Sequence, residues 1–538
     1  MGQTDRKIIK KYALPFAIAF LQWGIWQIFG VGKRFLSFQP EDPYVWVQKG
    51  CFLCFLCLIW NFLFFFVRKV ISGDNMAKRA LQVFSVYFSI LILMLVLLWP
   101  GCWYWDDIGV LASARNYDVL PWQHVLSSFF QTLFLQLVPT PGGVILVQLF
   151  TGAVIVSYAI SEFEASFLGG SLLIKWWLPD TLIKLIPFLL PPVVLYQYSG
   201  FRMGLYIFIE IFVLAFITGI SVRERNTGVI WLILFAFAVA VLSTWRTEGF
   251  LYAPVMILLI SLQKKETLSA SKKILTAGVI LLGIFMISSF QKDRAGDSNY
   301  SVVTILRPLC EVVRAADPVE DKELLQDIDA VVSTGMMLDN PEVNGEDLLW
   351  KYDLQIDGYT DEEYSAFMKA FAGLCMRHPK AVIKERVKVF IDTSAIHGRT
   401  NPTNVVGAYY LFDPEEQNDN QKEFTEWDAP LNRPVSSGLR QRFLLFLGCL
   451  NEDFSELITY RLVWDIIVPI LVIIAVWVYL LIKKKGMLFT ALAAVALRIP
   501  VLFLTAPATW TMYYLSFYLI GYVLLAAVLV MKANNKDL

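Results

Sequence analysis

Charge is scarce in this chain. Only 17% of its 538 residues are Asp, Glu, Lys or Arg, and the two signs cancel to a net charge of zero. That balance leaves no bulk electrostatic case for a nucleic-acid partner. Cys/His pairs at metal-ligand spacing are missing, as are a Gly-rich phosphate loop leading into a helix and any internal repeat. The seven cysteines set up no readable framework. Cys51, Cys54 and Cys57 share one face of an apolar helix without His or acid partners, so they read as small buried hydrophobes. Cys102, Cys310, Cys375 and Cys449 fall in segments expected outside the membrane, where a disulfide stays open and its pairing cannot be deduced. The apolar runs also lack the alternation of barrel strands.

What the chain has instead is long greasy segments. Hydrophobic residues make up 57% of it, and its mean hydropathy is +0.56. A soluble protein cannot hide that much apolar surface. Several segments approach or exceed the ~20 residues needed to cross hydrocarbon. Backbone polar groups in lipid must be satisfied within their own segment, so an all-α polytopic membrane protein of about twelve transmembrane helices is expected. The predicted spans are Tyr12–Val31, Val47–Val67, Ala80–Trp99, Gly143–Ile160, Ser171–Tyr196, Met203–Ile220, Gly228–Ser243, Gly249–Leu262, Ile274–Phe290, Leu462–Ile482, Met487–Ala506 and Trp510–Met531. The start, MGQTDRKIIKKYALPF, is basic and then apolar, but no small-residue cleavage site follows before Gly30. It is expected to be a retained first span. The sixth position lacks Ser or Thr, so myristoylation is not supported.

Lys and Arg in short loops predict orientation. Arg6-Lys7, Lys10-Lys11, Arg68-Lys69, Lys78-Arg79, Arg223 and Arg225, Lys264-Lys265, Lys272-Lys273 and Lys483-Lys484-Lys485 fall on one side if the span count is even and both termini are cytoplasmic. The acidic stretch at Glu162 and Glu164 sits awkwardly on that side, although orientation largely ignores acids. The expected organisation is a transmembrane region 1–290 with an outer loop 100–142, an extracytoplasmic domain 291–456, and C-terminal helices 457–538. The stretch from Gln291 to Ser455 carries 29 acids against 17 bases, which marks it as solvated. EEYSAFMKAFAGLCMRH and PKAVIKERVKVFIDTSAI space their apolar residues as helices do, and Pro379 suits a first turn. The stretch from Asn401 to Pro434 reads as a long loop.

The outer loop opens with CWYWDDIGVLASARNYDVLPWQH. Paired carboxylates, Asp106 and Asp107, stand at the expected lip of the third span, beside Trp103, Tyr104 and Trp105, which suit headgroup depth. An amphipathic helix is expected after them, with a further apolar helix beyond Pro121. Arg115 and His124 add a cation and an imidazole nearby. The plain alternative is a solvated loop whose acids only mark a non-cytoplasmic end. Acid, base and cation beside a hydrophobic slot also suit chemistry on a lipid headgroup.

WDDIGVLASARNYDVLPWQH resembles, in layout, the first outer loop of the GT-C glycosyltransferases, and is similar to the bacterial glucosyl-transferase type II group and related bacterial membrane families. STWRTEGFLYAPVMILL resembles their Arg-x-x-Gly turn between two later spans. RHPKAVIKERVKVF is like the helix before their last spans, and APATWTMYYLSFYLIGY like their final outer turn. Two departures stand out: many relatives have Arg-Tyr where this chain has Met512-Tyr513, and some have an acid where it has Arg202. The resemblance implies transfer of a sugar from a polyprenyl-phosphate donor to an extracytoplasmic cell-envelope glycan acceptor, such as a polysaccharide or teichoic acid. A carboxylate takes the acceptor proton and a single displacement inverts the anomeric carbon.

The chemistry is consistent with one base, because a polyprenyl phosphate leaves as a stable anion and needs no general acid. Two adjacent ionised acids repel, so one is expected to serve as base while its neighbour holds a hydroxyl, a metal or Arg115. Adjacent helical residues point about 100° apart, so only one faces substrate, with Asp106 preferred. No cofactor is required, although adjacent carboxylates can hold Mg²⁺ or Mn²⁺. Arg246, with Glu248 two residues on, is a donor-phosphate contact or an interface anchor. Arg498 lies deep in a span, where a charge is costly; it is functional, or a structural pair with Glu210 or Asp465. Arg202 is a further candidate, with Arg307 behind it. His124 is a substrate contact or a loop-to-helix polar residue, and Tyr513 a substrate contact or an interface aromatic. The rival functions are a lipid-linked-sugar transporter or flippase, an envelope polymerase or ligase, and an assembly or receptor protein.

Overall fold

A computed structural model describes residues 3–30, 35–37, 41–103, 105–169, 177–295, 299–352, 354–356, 358–394, 432–447 and 458–534. The predicted loop at 401–434 and Cys449 lie almost wholly outside these residues. The described chain is helical: α1 Gln3–Phe29, α2 Pro43–Ile71, α3 Asn75–Leu98, α4 Trp105–Arg115, α5 Val125–Leu137, α6 Pro141–Phe167, α7 Trp177–Leu185, α8 Pro191–Gln197, α9 Met203–Arg223, α10 Val229–Trp245, α11 Tyr252–Leu262 and α12 Ala270–Ala295. There follow α13 Leu306–Ala315, α14 Lys322–Asp329, α15 Thr334–Asp339, α16 Gly345–Tyr352, α17 Asp361–Arg377 and α18 Pro379–Thr393. The chain closes with α19 Ser437–Phe446, α20 Ile458–Trp464, α21 Ile467–Ile482, α22 Gly486–Ala496, α23 Arg498–Thr505 and α24 Leu515–Ala533.

Seven of these segments are long and apolar enough to cross a membrane, α22 and α23 counting as one continuous stretch. This is a membrane protein. Its helices start where the sequence provides caps. Asp74 accepts from the Ala77 amide at the head of α3, and Thr140 with Pro141 opens α6, each satisfying backbone donors that the first turn leaves free. α3 then buries Val83, Tyr87, Leu91, Leu95 and Leu98, an i, i+4 stripe, against α6. The predicted span Ser171–Tyr196 is not one straight helix. Over the described part, residues 177–197, it breaks and bends by 75°. Pro187, Pro191 and Pro192 lie at that break and cannot continue a helical hydrogen-bond ladder.

The end of the bundle formed by the start of α3 and the ends of α6 and α9 gathers charge. Arg79 pairs with Glu164 at 2.8 Å and Asp180 at 2.6 Å. Lys184 reaches the same two acids at 2.7 Å each. Glu162 takes Arg223 at 3.0 Å and Arg225 at 3.6 Å. The acids that sat awkwardly in the sequence are thus the counter-ions of its basic loops.

Helices α13–α17 and the first half of α18 enclose a separate core around Leu306, Leu309, Val313, Ile328, Phe367 and Leu374. α17 and α18 form as the apolar spacing predicted. Thr360 and Glu363 close a capping box on α17, and Pro379 takes the first turn of α18. α18 joins the two parts of the protein. Ala381 and Val382 pack on the small core, and Val389 and Phe390 on the large one. Cys102, Cys310 and Cys375 are free thiols, as are Cys51, Cys54 and Cys57 on α2.

Candidate functional site

The acids are placed by a seam between two turns. The Cys102 amide donates to the Tyr198 carbonyl, and Cys102 bridges Ser199 in parallel register. Gly200 then lies flat on Trp103: a Cβ there would stand 2.4 Å from the indole and 3.1 Å from the Asp107 Cβ. The close approach requires glycine. Behind the seam, Arg440 of α19 donates to the carbonyls of Leu98, Trp99 and Gly101, satisfying the end of α3.

Asp106 and Asp107 occupy the first turn of α4, where the helix dipole favours anions. Their surroundings differ. Asp107 is 2% exposed and packed toward Gly200. Asp106 is half-buried and accepts from Gln123 Nε2 at 3.3 Å. Burial pushes its carboxyl above the usual range, while the Arg202 cation and a hydrogen bond from Trp122 pull it down. His124 caps α5, its Nδ1 accepting from the Leu126 amide at 3.3 Å, so the loop-to-helix role is filled. Burial and then Arg202 draw its pKa down to about 3, leaving the ring neutral. Arg202 therefore stands in the field of both Asp106 and His124. Its Nη1 also donates to the Trp245 carbonyl at 3.3 Å, which leads to the next group.

The Arg246–Gly249 turn closes on itself, the Gly249 amide donating to the Arg246 carbonyl at 2.9 Å. A Cβ on Gly249 would meet the Leu242 carbonyl oxygen at 2.0 Å, so only glycine fits the turn. Arg246 is 5% exposed, bonds Glu248 and lies 5.6 Å from the Tyr513 ring centroid. Arg498 is wholly buried and pairs with Glu210 at 2.6 Å, with a looser contact to Glu248 at 3.7 Å. Tyr252 donates to Glu210 and Ser516 bonds its other oxygen. Of the two partners proposed for Arg498, Glu210 is the one found. Asp465 instead accepts from the Ile467 amide at the start of α21. Arg307 is occupied by Glu346 at 2.7 Å and Glu385 at 3.4 Å in the small domain.

Asp106, His124, Arg202, Arg246, Glu248, Arg498 and Tyr513 thus form one continuous neighbourhood, and Asp107 lies beneath it. Arg115 does not join them. At the far end of α4 it donates to the Phe35 carbonyl at 2.7 Å and lies over that ring. The expected pairing of Arg115 with the acids fails because the length of α4 separates them. The apolar helix expected beyond Pro121 forms as α5. It is packed inside the bundle, with Ser127, Ser128, Gln131, Thr132 and Gln136 all buried. Two of those groups tie α5 to other elements: Trp245 donates to Ser127 at 3.0 Å and Gln131 to the Gly200 carbonyl at 3.1 Å. Among the described residues, no three His, Cys, Asp or Glu side chains are arranged to hold a metal. Sequence reasoning missed Trp122, Gln123 and Arg440, whose roles depend on tertiary placement alone.

The fold and this site define an all-helical membrane protein with an acid–arginine cluster at one end of its bundle. No protein-family model matches the chain, and no curated protein or solved structure matches it either.

Proposed function

We propose that the protein is a membrane glycosyltransferase of the GT-C kind, with Asp106 as the base. It moves a sugar from a polyprenyl-phosphate donor to a cell-envelope glycan on the non-cytoplasmic side. Twelve spans follow if the seven long segments, the bent pair and the shorter apolar helices Ala13–Phe29, Val229–Trp245, Thr247–Leu262 and Ile467–Ile482 all cross. Both termini and the Arg79–Glu164 end are then cytoplasmic. Asp106, Arg202, Arg246 and Tyr513 face outward, with the α13–α18 domain above them.

The observation that carries the reading is the setting of Asp106. It is a half-buried carboxylate in the field of the Arg202 cation and bonded by the Gln123 side-chain amide, at the end of a helical bundle. Such a group, its basicity raised by burial, can take a proton from a hydroxyl that it orients. Asp107, behind it, fixes the start of α4. The resemblance of the outer loop and of the Arg-x-x-Gly turn supplies the reaction class. The test is transfer by purified protein given polyprenyl-phosphate sugar and envelope glycan. Loss in Asp106→Asn supports the reading. Transfer that persists in Asp106→Asn, Asp107→Asn and the double variant removes it.

A further inference from the structure

Arg386, on the inward face of α18, makes no direct ion pair among the described residues, and Glu385 and Glu346 act on it only at longer range. It is 1% exposed. Its Nη1 donates to the carbonyls of Ala506 at 2.8 Å and Leu504 at 3.4 Å, closing the end of α23. Its Nε and Nη2 are buried with no hydrogen-bond partner among the described residues. Glu385, next to it in sequence, is engaged by Arg307. Two further orphans lie in the adjoining turn. The Tyr514 hydroxyl and Thr511 Oγ1 are buried and likewise have no hydrogen-bond partner among the described residues. The elements touch. Phe390, one turn along α18 from Arg386, packs on Tyr514 at 5.7 Å between ring centroids and on Phe503 of α23 at 5.9 Å. The Tyr514 amide donates to the Thr511 carbonyl at 3.0 Å.

A buried guanidinium with two idle nitrogens is costly, and each idle hydroxyl adds to that cost. One kind of ligand answers all three. It must be anionic, present two oxygens to the Nε/Nη2 edge, and keep further oxygens for the hydroxyls. A sugar hydroxyl has no charge, and a carboxylate commits both of its oxygens to the guanidinium edge; a phosphate group pairs that edge and keeps further oxygens for the hydroxyls. Arg246 and Arg498, by contrast, are each already neutralised by Glu248 or Glu210.

We propose that Arg386, Tyr514 and Thr511 form a phosphate-binding site where the small helical domain meets the last two spans. The site does not rest on the transferase reading, since a lipid-linked phosphate or a soluble one would fit the same groups.

The test uses the full-length protein in detergent, with binding followed by tryptophan fluorescence and thermal unfolding. The probes are inorganic phosphate, a polyprenyl phosphate and the uncharged prenol. Affinity for at least one phosphate probe is expected, with weaker response to the prenol. Arg386→Gln is expected to weaken it at least tenfold, and Tyr514→Phe a few-fold. A response to polyprenyl phosphate alone identifies a lipid headgroup, and an equal response to inorganic phosphate identifies a soluble anion. Should Arg386→Gln not fold, Tyr514→Phe decides, because it removes only a hydroxyl that no other described residue bonds. Binding unchanged in Tyr514→Phe, equal binding of the prenol, or no phosphate binding at all overturns the proposal. Because no transfer is read, this result stands apart from that of the Asp106 variants.

Discussion

Arg498 and Glu210 meet at 2.6 Å with neither side chain exposed. The pair ties α9 to α23, and Tyr252 and Ser516 bond the two Glu210 oxygens. Breaking a buried pair from one side leaves a bare charge, at a cost of about 3–5 kcal/mol. Arg498→Met and Glu210→Gln should therefore each lower the unfolding temperature sharply. The double variant should recover most of the loss, as a double-mutant cycle will show. If Arg498→Met leaves stability intact but stops transfer, Arg498 acts on substrate instead.

A side chain on Gly249 would run into the Leu242 carbonyl. Gly249→Ala should cost about 1–3 kcal/mol of stability by overpacking. It should also reduce transfer by displacing Arg246 and Glu248 on the same turn. Thermal unfolding and activity measured on one preparation check both effects.

The Asp106 carboxyl is raised chiefly by burial and held down by Arg202. A base must be ionised, so transfer should rise with pH through a limb above the ordinary carboxylate value. Arg202→Gln removes a cation that favours ionisation, so that limb should move to higher pH. His124→Asn keeps the helix cap and should leave the limb in place, since His124 titrates near pH 3. The folded state also binds the Asp106 proton more tightly than the unfolded chain. Ionising Asp106 therefore costs stability as pH rises. The pH–rate profiles of the three proteins test the assignment.

Asp106→Asn should lower the turnover rate by about 10²–10⁴-fold, the range of a lost general base. Asp107→Asn should act mainly on folding, because Asp107 is buried against the Gly200 turn. Comparing turnover with thermal stability separates the two roles.

Much of this was legible from the sequence because membrane helices announce themselves by local composition. α2, α3, α6, α9 and α12 appear where the apolar runs lie, and Pro379 and Thr360 mark the starts of α18 and α17. The Arg246–Gly249 turn was legible because its glycine is needed locally. Long-range placement was not. Nothing near Arg115 in sequence predicts that Phe35 takes it. Nothing near Arg440 predicts the α3 carbonyls 339 or more positions away. The burial of the α5 glutamines and serines was not legible, because what packs around them lies on distant elements. Arg386 drew no notice because a helix with many cations hides the one that is buried without a direct ion pair among the described residues.

The side of the membrane that Asp106 faces decides the account. The direct measurement is labelling of Asp106→Cys in intact cells with a membrane-impermeant maleimide, against the same protein with its native cysteines alone. Labelling from outside is predicted, with protection when polyprenyl-phosphate sugar is supplied. Labelling only after the cells are opened would contradict the account and return the choice to a transport or scaffold role.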